Sequence, residues 1–75
     1  MSREYFHVRP SSGTWHVQLV GAPSMPFATL EDALTVAYRI AQDRWGFLGR
    51  ACAVRVHLPT GEVLERLFGE DGKSE

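Results

Sequence analysis

Three histidines, one cysteine and a spread of arginines are the side chains in this sequence with chemistry to offer. His7, His16 and His57 each alternate with apolar neighbours, so they fall on the polar side of β-like segments. If His7 faces His16 across a hairpin, two imidazoles stand ready for a divalent transition metal, with His57 as a third ligand if its strand is adjacent. No carboxylate or cysteine is spaced to complete such a site, so a solvated polar face is expected and no bound metal. Cys52 and His57 cannot form a nucleophile–base pair. Five residues apart on one strand they point to opposite faces, and Cys52 shares the apolar one. A buried, inert thiol is expected.

Other chemical signatures fail in turn. Leu58-Pro59-Thr60-Gly61 lacks the spacer between Pro and Thr and the apolar tail of a cell-wall sorting signal, and reads as a hairpin turn. No glycine-rich phosphate loop follows a strand, and no paired carboxylates flank a cleft. Catalytic residues and cofactors are therefore not expected. His7, Arg9, His16, Arg55 and His57 remain as a polar face able to hold an anion, with Tyr5 and Arg66 beside them. Arginines on a sheet can read a DNA groove, and sheet aromatics can stack on bases. The bland alternative is an ordinary solvated face with Arg55 partly neutralised by Glu65 across a hairpin. The formal net charge of −1 gives nucleic acid no general attraction, although seven of the eight basic residues are arginine.

The element that must position these residues is a helix over 29–45. At 100° per residue, Leu30, Ala33, Leu34, Val36, Ala37, Tyr38, Ile40, Ala41 and Trp45 share one arc, about 200° wide, and the polar residues share the other. Arg44 alone intrudes on the apolar arc. Thr29 supplies an N-cap, with Asp32 at the capping-box position, and Gly46 is the expected left-handed stop. Residues 4–9 and 14–20 read as strands joined through the turn residues Pro10-Ser11-Ser12-Gly13. Setting Arg9 against Thr14 pairs Val8 with Trp15 and Phe6 with Val17, all on one face. Residues 21–28 read as a loop because two prolines and a glycine interrupt them. Residues 51–58 form the clearest strand, and Pro59-Thr60-Gly61 suits a type I turn with a glycine bulge. Residues 62–68 fit a strand or a short helix; the preceding hairpin turn and the short length favour a strand.

Taken in order, Val8-Arg9-Pro10, Trp15-His16-Val17, Phe27-Ala28-Thr29 with Glu31-Asp32-Ala33, Ile40-Ala41, Gly61-Glu62-Val63 and Phe68-Gly69 resemble a family of small bacterial domains of unknown function with a ββαββ layout. The resemblance spans residues 8–69. It implies a strand over 62–68 and brings no activity or site residues. The apolar Trp45-Gly46-Phe47-Leu48-Gly49 segment departs from it.

The expected fold is α+β: two β-hairpins forming a four-stranded, mainly antiparallel sheet with one helix on one face. Residues 1–69 make one small domain and 70–75 a solvated tail. At 75 residues and 44% hydrophobic, the chain is near the size where one core is only marginally sufficient. A lone cysteine excludes an internal disulfide, and no signal peptide or long apolar run is evident, so a cytoplasmic location is expected. The expected function is a non-catalytic binding or assembly module working through protein contacts, with self-association because apolar residues exceed what one sheet face can cover. Nucleic-acid or anion binding on the open sheet face is the alternative; no membrane partner is expected.

Overall fold

The computed structural model describes residues 3–19 and 21–69. Their order is β1 (Glu4–Ser11), β2 (Thr14–Gln18), β3 (Met25–Phe27), α1 (Leu30–Leu48), β4 (Cys52–His57) and β5 (Val63–Phe68). The α+β architecture with one helix across one sheet face is as expected, but the sheet has five strands, ordered β3-β2-β1-β4-β5. The expected tail over 70–75 lies outside the described residues.

The additional strand is β3, in the stretch expected to be a loop. Trp15 pairs with Phe27 and Val17 with Met25, which turns Met25 and Phe27 toward the core. Pro26 is compatible because of ladder alternation. Thr14 pairs with Ser11 to close the β1–β2 hairpin, so Trp15 and Val17 present their backbone groups to β3 and the Pro26 nitrogen points off the sheet edge.

The sheet is mixed because β1 and β4 run parallel. β3 has the direction of β1, since both are antiparallel to β2. A helix about 28 Å long then carries the chain back to the starting end of the sheet. The next strand must therefore run parallel to β1, and it docks on the edge that β2 leaves free.

The first hairpin is tighter than the expected four-residue loop. Ser12 and Gly13 both have positive φ, 50° and 82°, the signature of a two-residue type I′ turn whose twist matches its strands. Pro10 and Ser11 therefore stay in β1. Val8 pairs with Val17 and Arg9 with His16, a slip of two residues from the expected register. A slip of two preserves every side chain's face, so the expected core survives the correction. The second hairpin follows expectation: the Gly61 N–H donates to the Leu58 carbonyl at 2.9 Å, and β5 is a strand.

The Thr29 hydroxyl caps α1, accepting from the Asp32 N–H at 3.1 Å. The helix does not stop at Gly46. It runs to Leu48, and Gly49 takes the left-handed conformation, φ 68°, its N–H donating to the Trp45 carbonyl at 3.1 Å. One interior glycine costs a helix about 1 kcal/mol against alanine, too little to end one that is anchored on both sides of it. Arg44 is part of that anchor. Its guanidinium donates to Glu4 at 2.7 Å and lies over the Phe6 ring, while Arg50 donates to the other Glu4 oxygen at 3.0 Å. Burial acts upward on the Glu4 carboxyl, but the hydrogen bonds and charges of Arg50 and Arg44 outweigh it and hold the group below its ordinary value.

Phe6, Val8, Val17, Cys52, Val54 and Val56 meet Ala33, Ala37 and Ala41 in the core. The three alanines, at i, i+4 and i+8, are fully buried. Trp15 packs against this cluster from the helix side, as its alternation with Val17 requires, but it is only partly buried.

Candidate functional site

His7, Arg9, His16, Arg55 and His57 all lie on the sheet face away from the helix, as the alternation demands. Their partners differ from those expected. His7 lies opposite Gln18, and Arg9 opposite His16. The imidazole that His7 meets is His57 on the neighbouring parallel strand, with Nδ1 and Nε2 3.0 Å apart and the rings stacked 5.3 Å between centroids. His16 is held elsewhere. The Thr14 hydroxyl donates its one hydrogen to the Ser11 carbonyl at 2.8 Å, so it accepts from His16 Nε2 at 3.1 Å. That places a proton on His16 Nε2. Among the described residues no group of three or more His, Cys, Asp or Glu is placed to hold a metal ion.

The His7–His57 bond needs one proton between the two nitrogens, and a second would set two N–H groups against each other. Burial pushes both imidazoles below the ordinary value; Arg9 and Arg55 add to this for both, and His57 adds to it for His7. The face therefore gains charge at a lower pH than free histidines would give it. Between pH 6.5 and the lower folded values, the unfolded chain binds protons that the folded chain does not, so stability falls as pH drops through that window and is fully present above it. Thermal melts from about pH 7.5 to 5.5 should show this fall, and His57→Gln should flatten it. An NMR titration placing both imidazoles at or above about 6.5 would overturn the assignment.

The two arginines of the face are unlike. Arg55 is engaged: its Nε donates to Glu65 at 2.8 Å and its guanidinium lies 4.2 Å from the centroid of the Tyr5 ring. The neutralised arrangement given above as the bland alternative holds here. Arg9 is exposed and makes no ion pair among the described residues. It lines an open cleft of about 440 Å³ with His16, Gln18, Ser11 and Ser24, between the β1–β2 hairpin and the loop before β3. The open face is thus divided. Its polar part lies over β2 and the end of β1; toward β5, the apolar residues Val63 and Leu67 stand on either side of the Arg55–Glu65 pair.

The surplus apolar surface that the sequence predicts lies partly here. Tyr5, Ala53 and Leu67 form one row across β1, β4 and β5, and the two large residues flank Ala53, which is fully buried on the face away from α1. Val63 and Leu67 are 50% and 41% exposed on this side of β5, and Leu64 is 51% exposed on the other. The signal was present in Val63-Leu64-Glu65-Arg66-Leu67-Phe68, which no register can make apolar on one side only.

The sheet's two edges differ in kind. The β3 edge is three residues long and carries Pro26. The β5 edge is six residues long, with no proline, and is exposed on both sides over most of its length. Leu58 donates to the Glu62 carbonyl at 2.8 Å, so by alternation Leu64, Arg66 and Phe68 bond β4, whereas the backbone groups of Val63, Glu65 and Leu67 face outward. Near its far end, Trp45 packs on Gly69, and Phe47 and Leu48 are strongly exposed in the last turn of α1.

Cys52 is buried beneath the helix, on the face opposite His57. Burial is the main cause raising its thiol pKa, with the Glu4 charge adding to it, and its S–H lies 3.4 Å from the Arg50 carbonyl. No described helix is long and apolar enough to cross a membrane. No known family's model, curated protein or solved structure matches the chain.

Proposed function

We propose that this chain is a non-catalytic assembly module of the cytoplasm that binds protein by adding a β-strand to the β5 edge. The observation that carries this reading is the contrast between the edges. Proteins blunt exposed sheet edges with short strands, prolines, bulges or charge, because unpaired N–H and C=O groups template pairing with another chain. The β3 edge has two of these protections; β5, with four apolar residues in six, has little. Strand addition would satisfy its outward backbone groups and cover Val63, Leu64 and Leu67.

Sedimentation equilibrium tests this. The wild-type chain should associate at high micromolar concentration, and Glu65→Pro should be monomeric. The Glu65 N–H points outward, so proline there removes an edge donor without taking a hydrogen bond from β4. Glu65→Gln, which loses the Arg55 ion pair but keeps the donor, should associate like wild type. A monomeric wild type, or an undiminished Glu65→Pro assembly, would defeat the proposal.

A second reading has one observation in its favour: Arg9, without an ion pair among the described residues, stands beside His16 and Gln18 in the open cleft. Arginine can grip phosphate through two parallel N–H groups. An NMR titration with phosphate and with short oligonucleotides would place shifts on these residues if the polar half of the face binds anions.

A further inference from the structure

Resting on the strand-addition reading, we infer that the strand added to β5 is β5 of a second copy, antiparallel, about a two-fold axis through Leu64. A closed dimer of identical chains uses the same patch on both, so each candidate register is defined by the residue that meets itself. The outward backbone groups of Val63, Glu65 and Leu67 must bond their counterparts, which puts the axis through a residue, and the central choices are Leu64, Glu65, Arg66 and Leu67.

Side-chain pairing selects among them. Centring on Arg66 sets two guanidinium groups directly opposite, and centring on Glu65 does the same with two carboxylates; like charges directly opposed are destabilising. Centring on Leu67 sets Glu65 against Gly69 and Arg66 against Phe68, so neither charge meets an opposite one. Centring on Leu64 sets Leu64 against its symmetry mate and Glu62 against Arg66 of the second copy, twice by symmetry. Val63 and Glu65 then exchange their outward N–H and C=O groups with those of the other strand. The segment Glu62-Val63-Leu64-Glu65-Arg66 is thus self-complementary in one of the four central antiparallel registers.

The monomer leaves the required groups available. Glu62 is exposed and makes no ion pair among the described residues. Among the described residues, Arg66 directs its charge to the Tyr38 and Phe68 rings, 4.9 and 5.4 Å from their centroids, which hold it on the helix side of β5, the side that Glu62 shares by alternation. Leu64, the residue at the axis, is half exposed on that same side.

Charge reversal tests the register. Glu62→Arg places two arginines against each other at both contacts, and Arg66→Glu places two glutamates there. Each variant alone should weaken self-association at least tenfold by sedimentation equilibrium. An equimolar mixture should restore it, because the arginine introduced in one variant then faces the glutamate introduced in the other. The double variant carrying both reversals should restore it as well. Circular dichroism on each protein checks that the fold is intact. If the single variants associate as wild type does, while Glu65→Pro does not, strand addition stands and the register is wrong. The register is equally wrong if the mixture stays monomeric. If the wild type is itself monomeric, the assembly reading fails and the register with it.

Discussion

Phe6→Ala is expected to cost about 3–5 kcal/mol, enough to leave the domain largely unfolded at room temperature. Phe6 is the largest of the fully buried side chains. It stands on β1, the middle strand of the sheet, flanked by β2 and β4. The Arg44 guanidinium that binds Glu4 also lies over its ring, at 5.4 Å, so truncation opens a cavity and removes the surface that supports the helix's ion pair. A small domain has little stability in reserve. Trp15→Ala should cost less, because Trp15 lies on an outer strand pair and is only partly buried. Urea unfolding followed by circular dichroism ranks the two. A Phe6→Ala protein that unfolds at the wild-type midpoint would mean that this ring does not organise the core.

The face of each side chain is legible in the sequence, and the identity of its neighbours is not. Alternation places Phe6, Val8, Val17, Val54 and Val56 on one side of the sheet whether the first hairpin closes at Arg9–Thr14 or at Ser11–Thr14. The two registers differ by an even number of residues, so the core is indifferent to the difference. The polar face depends on it. His7 opposite His16 suggests a metal clamp, whereas the observed register gives His7 to Gln18 and leaves His57 as its partner. That contact arises from β1 and β4 pairing in parallel, a consequence of strand order, which local pattern does not encode.

Single residues mislead where their usual meaning is overridden. Pro26 argues against a strand, yet an edge position where its missing N–H faces outward removes the objection. Gly46 looks like a helix stop, but Gly49 provides the left-handed cap three residues on. The exposed apolar edge, by contrast, is visible in outline. A six-residue segment apolar on both sides cannot be satisfied by one sheet face, and it forms the edge. What the sequence lacks is the alternation anchored at Leu58 and Glu62, which decides which backbone groups point outward.

Ala37→Leu should destabilise the domain by about 1–3 kcal/mol despite adding apolar surface. Ala37 is the middle of the Ala33, Ala37, Ala41 stripe, and all three are fully buried. With nothing larger than a methyl group at these positions, α1 approaches the sheet closely, and the facing side chains, Phe6, Val8, Val17 and Val54, occupy the space between them. Leucine at this position needs room that the interior does not contain, so the helix must lift or tilt. A lift at this point also pulls Arg44 away from Glu4, since the ion pair spans helix and sheet at 2.7 Å. Thr35→Leu serves as the control. Thr35 lies on the exposed side of the same helix, its hydroxyl donating to the Glu31 carbonyl, and leucine there should change stability by no more than about 0.5 kcal/mol. Urea midpoints for the pair separate close packing from helix propensity, because leucine is a good helix former at both positions. Equal midpoints for Ala37→Leu and wild type would mean that the helix rides higher on the sheet than the buried alanines indicate.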